Sequence, residues 1–313
     1  MKVCIFGVGG VGGYFGGKIA HFMNENPSLN NQVYFIARGN HLKEIQSNGL
    51  VLKQENHATL ICRPTLATDN VETIPEMDLF LICIKSYDLE ACIHQIESQL
   101  TPSTLIIPLL NGVNIYQRIR NITTKGIIFP ACVYVGTHIE RDGVISQKGG
   151  EGKIIFGPDP QNQNANPEQL GQLFQFFQGC GINYAWQSNP YIEIWSKFIF
   201  IASYGLVCSV TKKTLGEVFE NSQLKTDVET IMQEIRSIAS AQHIILPDTI
   251  IHDSLTKARN FPHDAKTSFQ RDVEVKGKPN EADLFGKDII ELGKANSIPT
   301  PMIEKYYHKI VQK

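Results

Sequence analysis

The fifteen residues from 2 to 16, KVCIFGVGGVGGYFG, constrain the fold of this chain more than any other stretch. Residues 2–6 are a short apolar run with β-branched Val3 and Ile5, the pattern of a parallel strand buried on both faces. Gly7, Gly9 and Gly12 then complete G-x-G-x-x-G, and a helical pattern follows. In that spacing the first glycine makes a tight turn, the second lets backbone approach a pyrophosphate, and the third lets the helix pack closely on the strand. A diphosphate sits over the free N–H groups and the positive end of such a helix. The turn of Gly7, Val8, Gly9, Gly10, Val11 and Gly12 is therefore the candidate dinucleotide cradle.

The rest of the first half supports an α/β reading. A second strand is expected over 32–37, continuous apolar runs at 78–84 and 104–110 read as inner parallel strands, and helical periodicity falls between them. A strand pair is expected over 50–64, strands over 127–135 and 144–157, a helix over 170–178, and a polar loop over 161–167. Near residue 188 the character changes, and helical patterns dominate at 191–210, 214–243, 248–258 and 281–297. The chain is thus expected to hold an N-terminal doubly wound Rossmann-type sheet over 1–188 and a second, mostly α-helical domain over 189–313.

With 313 residues, two domains are the default. A net charge of −2 without a basic block argues against nucleic acid as a partner. No apolar run reads as long enough to span a membrane, and the N-terminal apolar residues run into the glycine turn rather than a signal-peptide pattern. Seven scattered cysteines without a C-x-x-C pair read as reduced thiols of a cytoplasmic protein, with no metal-ligand spacing. A homodimer through the long helical half stays open, since no heptad decides it.

The residue that ends the second strand selects the cofactor. An acidic side chain there accepts hydrogen bonds from a ribose 2′-OH, whereas an arginine pairs with a 2′-phosphate. Here it is Arg38, with His41 close behind and no carboxylate adjacent. The reading is NADP(H); the alternative is an ordinary surface arginine.

The motifs now in view resemble the ketopantoate reductase (2-dehydropantoate 2-reductase) family over nearly the whole chain. The resemblance rests on the glycine fingerprint, Ala37-Arg38-Gly39, Ile84-Lys85-Ser86, Leu110-Asn111-Gly112-Val113, Trp195-Ser196-Lys197, the block from Thr267-Ser268 to Asp272, Glu281 with Asp283, and the closing run from Ile298 to Pro301. It implies reduction of the ketone of 2-dehydropantoate by NADPH, on the route to pantothenate and coenzyme A. It also implies Lys197 as the general acid, Glu281 as its acidic partner and a cofactor contact, and Ser268 as the carboxylate binder. Asn111 would lie near nicotinamide and carbonyl, and Lys85 near cofactor or substrate anions. Each has a structural alternative: Lys197 snorkelling from an apolar helix, Glu281 a first-turn acid, Ser268 a helix N-cap, Asn111 a turn residue, Lys85 solvated.

Two departures bear on the substrate. Where the family typically carries asparagines four and eight residues after the lysine, this chain has Ile201 and Gly205, and Leu110 replaces a glutamine. Tyr204, seven residues after Lys197 and on nearly the same helix face, is the candidate to replace the lost substrate hydrogen bonds. The 2-keto acid therefore stays open between 2-dehydropantoate and another 2-oxo acid, and a non-catalytic NADPH sensor is the remaining alternative.

Overall fold

A computed structural model describes residues 1–159 and 166–312. Most of the expected 161–167 loop lies outside the described residues; within them, Asn166 caps a helix by accepting the Glu168 N–H at 2.9 Å. The chain forms two compact units, Met1–Asn111 with Ile115–Pro190, and Gly112–Asn114 with Tyr191–Lys313. The three-residue excursion Gly112–Asn114 has no signal in the composition shift near residue 188.

In the first unit the elements follow in the order β1 (Lys2–Phe6), α1 (Gly10–Glu25), β2 (Gln32–Ile36), α2 (Gly39–Asn48), β3 (Leu50–Gln54), β4 (Leu60–Cys62), β5 (Leu66–Thr68), β6 (Leu79–Ile82), α3 (Leu89–Ile96), β7 (Leu105–Pro108), α4 (Ile115–Arg120), β8 (Ile127–Ile128), β9 (Ala131–Tyr134), β10 (Thr137–Arg141), β11 (Val144–Gln147), β12 (Lys153–Phe156), α5 (Pro167–Gly179) and β13 (Asn183–Trp186). The main sheet is entirely parallel in the order β5-β2-β1-β6-β7-β8. All four residues of β6 and of β7 are buried, which is why both read as unbroken apolar runs. The order reverses at β1, whose neighbours β2 and β6 lead away in opposite directions. A crevice at the carboxyl ends of such strands is where open α/β sheets bind ligands.

Two smaller sheets complete this unit, in the orders β10-β11-β3-β4 and β13-β12-β9. The strand pair expected over 50–64 forms as the antiparallel β3–β4 pair and packs against α1 in its own sheet. The strand expected over 127–135 is two strands in different sheets with Pro130 between them, since proline cannot donate to a ladder. The run over 144–157 is likewise β11 and β12, joined through Gly149, Gly150 and Gly152 at positive φ. Phe156 anchors the third sheet, its ring in contact with Phe129, Phe174, Phe177 and Trp186.

The second unit is helical: α6 (Tyr191–Thr211), α7 (Leu215–Glu220), α8 (Ser222–Ala241), α9 (Ile250–Lys257), α10 (Ser268–Glu274), a π-helical turn at Asp283–Lys287 that runs into α11 (Asp288–Ala295), and α12 (Pro301–Val311). The single helix expected over 214–243 is broken at Asn221, whose side chain accepts the Leu224 N–H at 3.0 Å and starts α8 afresh. α6 is the hub, packed by α8, α9, α10 and α12. It is long and apolar enough to cross a membrane, which corrects the expectation that no run is; most of it is buried, as a core helix is. Trp195, Phe198 and Leu206 are nearly or fully inaccessible. Burial of each such side chain contributes about 1.5–3 kcal/mol.

Candidate active site

In the first unit the glycine turn has the geometry its spacing requires. Gly7 has φ +94°, and its N–H donates to the Ile36 carbonyl at 3.0 Å. A Cβ there would lie 2.6 Å from Ile84 Cγ2, and one on Gly12 only 2.0 Å from the Gly7 carbonyl oxygen. Both glycines are therefore demanded by the protein's own packing. Gly9 is different: a Cβ there would meet no atom within 4 Å. Its missing side chain serves nothing inside the protein and leaves backbone open to an approaching group.

Gly9 is also the N-cap of α1 and supplies no side-chain cap. The first N–H groups of α1 lack intrahelical acceptors, and the helix dipole adds positive potential there. A cradle of bare N–H donors that a single Cβ would fill suits a diphosphate. Val8 is buried beneath the turn, Val11 is half-buried, and Gly10 abuts the start of β10, with a Cβ 2.9 Å from the Thr137 carbonyl.

The other candidates of this unit also follow carboxyl ends of parallel strands. Arg38 comes after β2 and is the N-cap of α2, Lys85 comes after β6, and Asn111 after β7; the last two are half-buried. The Arg38 side chain is 85% exposed and reaches Asp88 Oδ2 at 3.3 Å. So exposed an ion pair holds the guanidinium weakly, leaving it exchangeable for a stronger anion. His41 is not an exposed companion to Arg38. Its side chain is buried, and Nδ1 accepts the Gly143 N–H at 3.0 Å.

In the second unit, Lys197 lies on α6, half-buried. Ser268 is the first residue of α10 and exposed. Thr267, not Ser268, is the cap, its hydroxyl accepting the Gln270 N–H at 3.0 Å. The N-cap alternative for Ser268 therefore falls. Glu281 is buried just ahead of the π-helical turn, and its carbonyl accepts the Phe285 N–H at 3.1 Å. Insertions of this kind recur at functional sites.

Three aromatic rings tie these positions together. Phe285 stacks on Phe198 with centroids 5.8 Å apart and contacts Phe269 at 4.8 Å. Phe198 adjoins Lys197, Phe269 adjoins Ser268, and Phe285 lies one turn beyond Glu281. All three rings are at most 2% exposed. A close-packed cluster of this sort fixes the backbone that carries the three polar residues. Sequence reasoning missed it, although each ring is next to, or one turn from, a motif residue.

Tyr204 is corrected. It is fully buried, and its hydroxyl donates to the Leu255 carbonyl in α9 at 3.1 Å. Burial chiefly pushes its phenol up, well above the usual tyrosine range. Helix periodicity placed it near the Lys197 face, but packing of α9 claims the hydroxyl, so Tyr204 is a core residue rather than a substrate ligand. Gly205 admits the Phe269 ring: a Cβ there would lie 3.3 Å from Phe269 Cδ1. Ile201 is half-buried on the same helix.

Among the described residues no group of three or more His, Cys, Asp or Glu could hold a metal ion. All seven cysteines are free thiols, and burial drives Cys83, behind the glycine turn, far above the ordinary thiol range.

Comparison with known proteins agrees with this architecture. The model of the family described as "Ketopantoate reductase PanE/ApbA" matches residues 3–161, and that of its C-terminal region matches residues 192–313. The chain is 24% identical over 307 residues to an uncharacterized oxidoreductase, YkpB, of Bacillus subtilis, covering 98% of this chain and 97% of that one. It is 25% identical over 324 residues to the 2-dehydropantoate 2-reductase of Mesorhizobium japonicum, covering 97% and 95%. Among solved structures, a PanE/ApbA family ketopantoate reductase from Ralstonia eutropha superposes with TM-score 0.88 at 25% identity, covering 100% and 98%. The fold is also that of a D-mandelate dehydrogenase solved with NADH and anilino(oxo)acetate, with TM-score 0.81 at 19% identity, covering 100% and 98%. The chain belongs to the ketopantoate reductase family of oxidoreductases.

Proposed function

We propose that the protein reduces the ketone of a 2-keto acid with NADPH, and that 2-dehydropantoate, giving pantoate for pantothenate and coenzyme A synthesis, is the substrate. The observation that carries the catalytic part is the aromatic cluster, which anchors the backbone of Lys197, Ser268 and Glu281 in one unit. The open position at Gly9 supports the cofactor.

A bound reduced nicotinamide would supply the hydride. The glycine turn and the α1 N-terminus hold the diphosphate, and Arg38 exchanges Asp88 for the 2′-phosphate. Ser268 holds the substrate carboxylate by its hydroxyl, and Lys85 adds positive charge to the anion sites. Asn111 donates toward the ketone oxygen. As negative charge grows there, Lys197 Nζ gives up a proton to it. The Glu281 carboxylate keeps Lys197 charged and oriented until that moment.

A second reading has its own observation. Ile201 is apolar, and the Phe269 ring lies tight against the place a Gly205 side chain would take, so the Lys197 face of α6 offers few polar groups to a hydroxylated substrate. A 2-oxo acid with a branched or aromatic side chain suits that face, and the structural relative bound to anilino(oxo)acetate is a protein of that kind. A panel of 2-oxo acids assayed for NADPH and NADH oxidation decides between them. Turnover with 2-dehydropantoate supports the first reading, and turnover with apolar 2-oxo acids alone supports the second. Dinucleotide binding without turnover of any panel member overturns both in favour of a sensor.

A further inference from the structure

One buried polar side chain beside the glycine turn is not used by the chemistry above. His41, in the first turn of α2, is 8% exposed. Its Nδ1 accepts the Gly143 N–H at 3.0 Å, and because an amide N–H can only donate, the ring must be neutral with its proton on Nε2. Nε2 is buried and reaches no partner at hydrogen-bond distance. The Val8 backbone favours a proton on the ring. Val8 is the residue between Gly7 and Gly9.

Gly143 is the corner between β10 and β11, with φ +74°. It comes so close to α2 that a Cβ would lie 2.8 Å from Glu44 Cβ, and its carbonyl accepts the Val51 N–H of β3 at 2.9 Å. The other end of β10 abuts the turn directly, where Thr137 crowds Gly10. The β10–β11 hairpin thus borders the glycine turn at Thr137 and Gly10, and His41 ties the hairpin's corner to α2.

We propose that neutral His41 is a positioning residue for the dinucleotide turn, and that protonating it loosens the turn and weakens dinucleotide binding. The proposal rests on the reading that this turn takes a dinucleotide. An imidazolium would set an Nδ1–H against the Gly143 N–H, two donors facing each other with no acceptor between them. The groups that bear on the ring are the Val8 backbone and Asp142, both of which favour protonation; the Glu44 side chain packs on Gly143. Burial is the largest influence and holds the imidazole below its usual range, so the ring stays neutral at pH 7.

The test is calorimetric binding of NADP⁺ to the full chain at pH 8.0 and pH 5.0, for wild type, His41→Asn and His41→Leu. Asparagine keeps an acceptor within reach of Gly143 but does not titrate; leucine supplies no acceptor. Loss of one buried hydrogen bond corresponds to about fivefold in affinity. Wild type should therefore weaken more than His41→Asn between the two pH values, by up to about fivefold, the 2′-phosphate's own titration being common to both. His41→Leu should bind about fivefold more weakly than wild type at pH 8.0. Equal pH dependence in wild type and His41→Asn overturns the role of His41 while leaving the dinucleotide reading intact. Absence of NADP⁺ binding to wild type at pH 8.0 overturns that reading and the proposal with it. Nitrogen-15 shifts of the His41 ring give a second check that does not depend on the variants' folding: a proton on Nε2 supports the Gly143 hydrogen bond and the positioning role, and one on Nδ1 overturns both.

Discussion

Alanine at Gly9 and at Gly12 should have opposite consequences, although the two residues lie three apart in one motif. At Gly12 the new Cβ would sit 2.0 Å from the Gly7 carbonyl oxygen, a backbone atom that cannot rotate away. Contacts under 3.0 Å are essentially never seen, so strand or helix must shift by about 1 Å. Overpacking of this kind costs about 1–3 kcal/mol, and a rigid neighbour puts the cost near the top of that range. The gain from replacing a helical glycine returns about 1 kcal/mol. A net loss of about 2 kcal/mol lowers Tm by about 4–8 °C for a unit of this size. At Gly9 the methyl meets nothing within 4 Å, and φ −86° is allowed to alanine. The cost is that of a poorer N-cap, about 0.5–1 kcal/mol. In the proposed binding mode the same methyl lies where the diphosphate approaches, so NADPH affinity should drop at least tenfold. Differential scanning fluorimetry and NADPH fluorescence titration on both variants separate the effects. If Gly9→Ala binds NADPH as wild type does, or if Gly12→Ala melts no lower than Gly9→Ala, the assignment of one glycine to the ligand and the other to packing is wrong.

Three further outcomes follow from the same geometry. Arg38→Ala should raise the Kd for NADPH about tenfold or more while leaving NADH nearly unchanged, because the side chain's proposed partner is the 2′-phosphate; equal weakening of both cofactors counts against it. Phe285→Ala removes the ring shared by Phe198 and Phe269. It should cost about 3–5 kcal/mol of stability in chemical denaturation, and the milder Phe285→Leu should lower kcat more than it raises KM for NADPH. Asp227 in α8 is buried, which pushes its carboxyl up, but hydrogen bonds from Tyr306, Gln223 and Lys305 outweigh that and leave it below the usual range. A lowered folded pKa means stability that is present above the unfolded value near 3.8 and lost as pH falls through the folded one. Asp227→Asn should therefore lose about 1.5–3 kcal/mol at pH 7 and show a flatter acid limb in a stability-versus-pH profile; an unchanged limb would mean that the carboxylate is not linked to folding.

Much of the first unit was legible because its signals are local. The glycine spacing encodes a positive φ at Gly7 and a close approach at Gly12, and the apolar runs of β6 and β7 encode burial on both faces. What escaped depends on contacts distant in sequence. Nothing near Tyr204 reveals that the Leu255 carbonyl awaits its hydroxyl. Nothing near His41 reveals Gly143, 102 residues away, whose N–H the buried imidazole accepts. Other boundaries do carry local signals: Pro130 between β8 and β9, the capping asparagine at 221, and Pro301 opening α12. For the site, motif order pointed to Lys197, Ser268 and Glu281, but the ring cluster that fixes their backbone appears only when α6, α10 and the π-helical turn pack together.

The most direct test of the chemistry is Lys197→Ala, with turnover measured by NADPH oxidation beside the best 2-oxo acid and NADPH affinity measured on the same preparation. A general acid contributes about a hundredfold or more. The expected result is a fall in kcat of that size with NADPH affinity within about twofold of wild type. Near-normal kcat in the variant would show that the proton comes from another group and would contradict the assignment of Lys197.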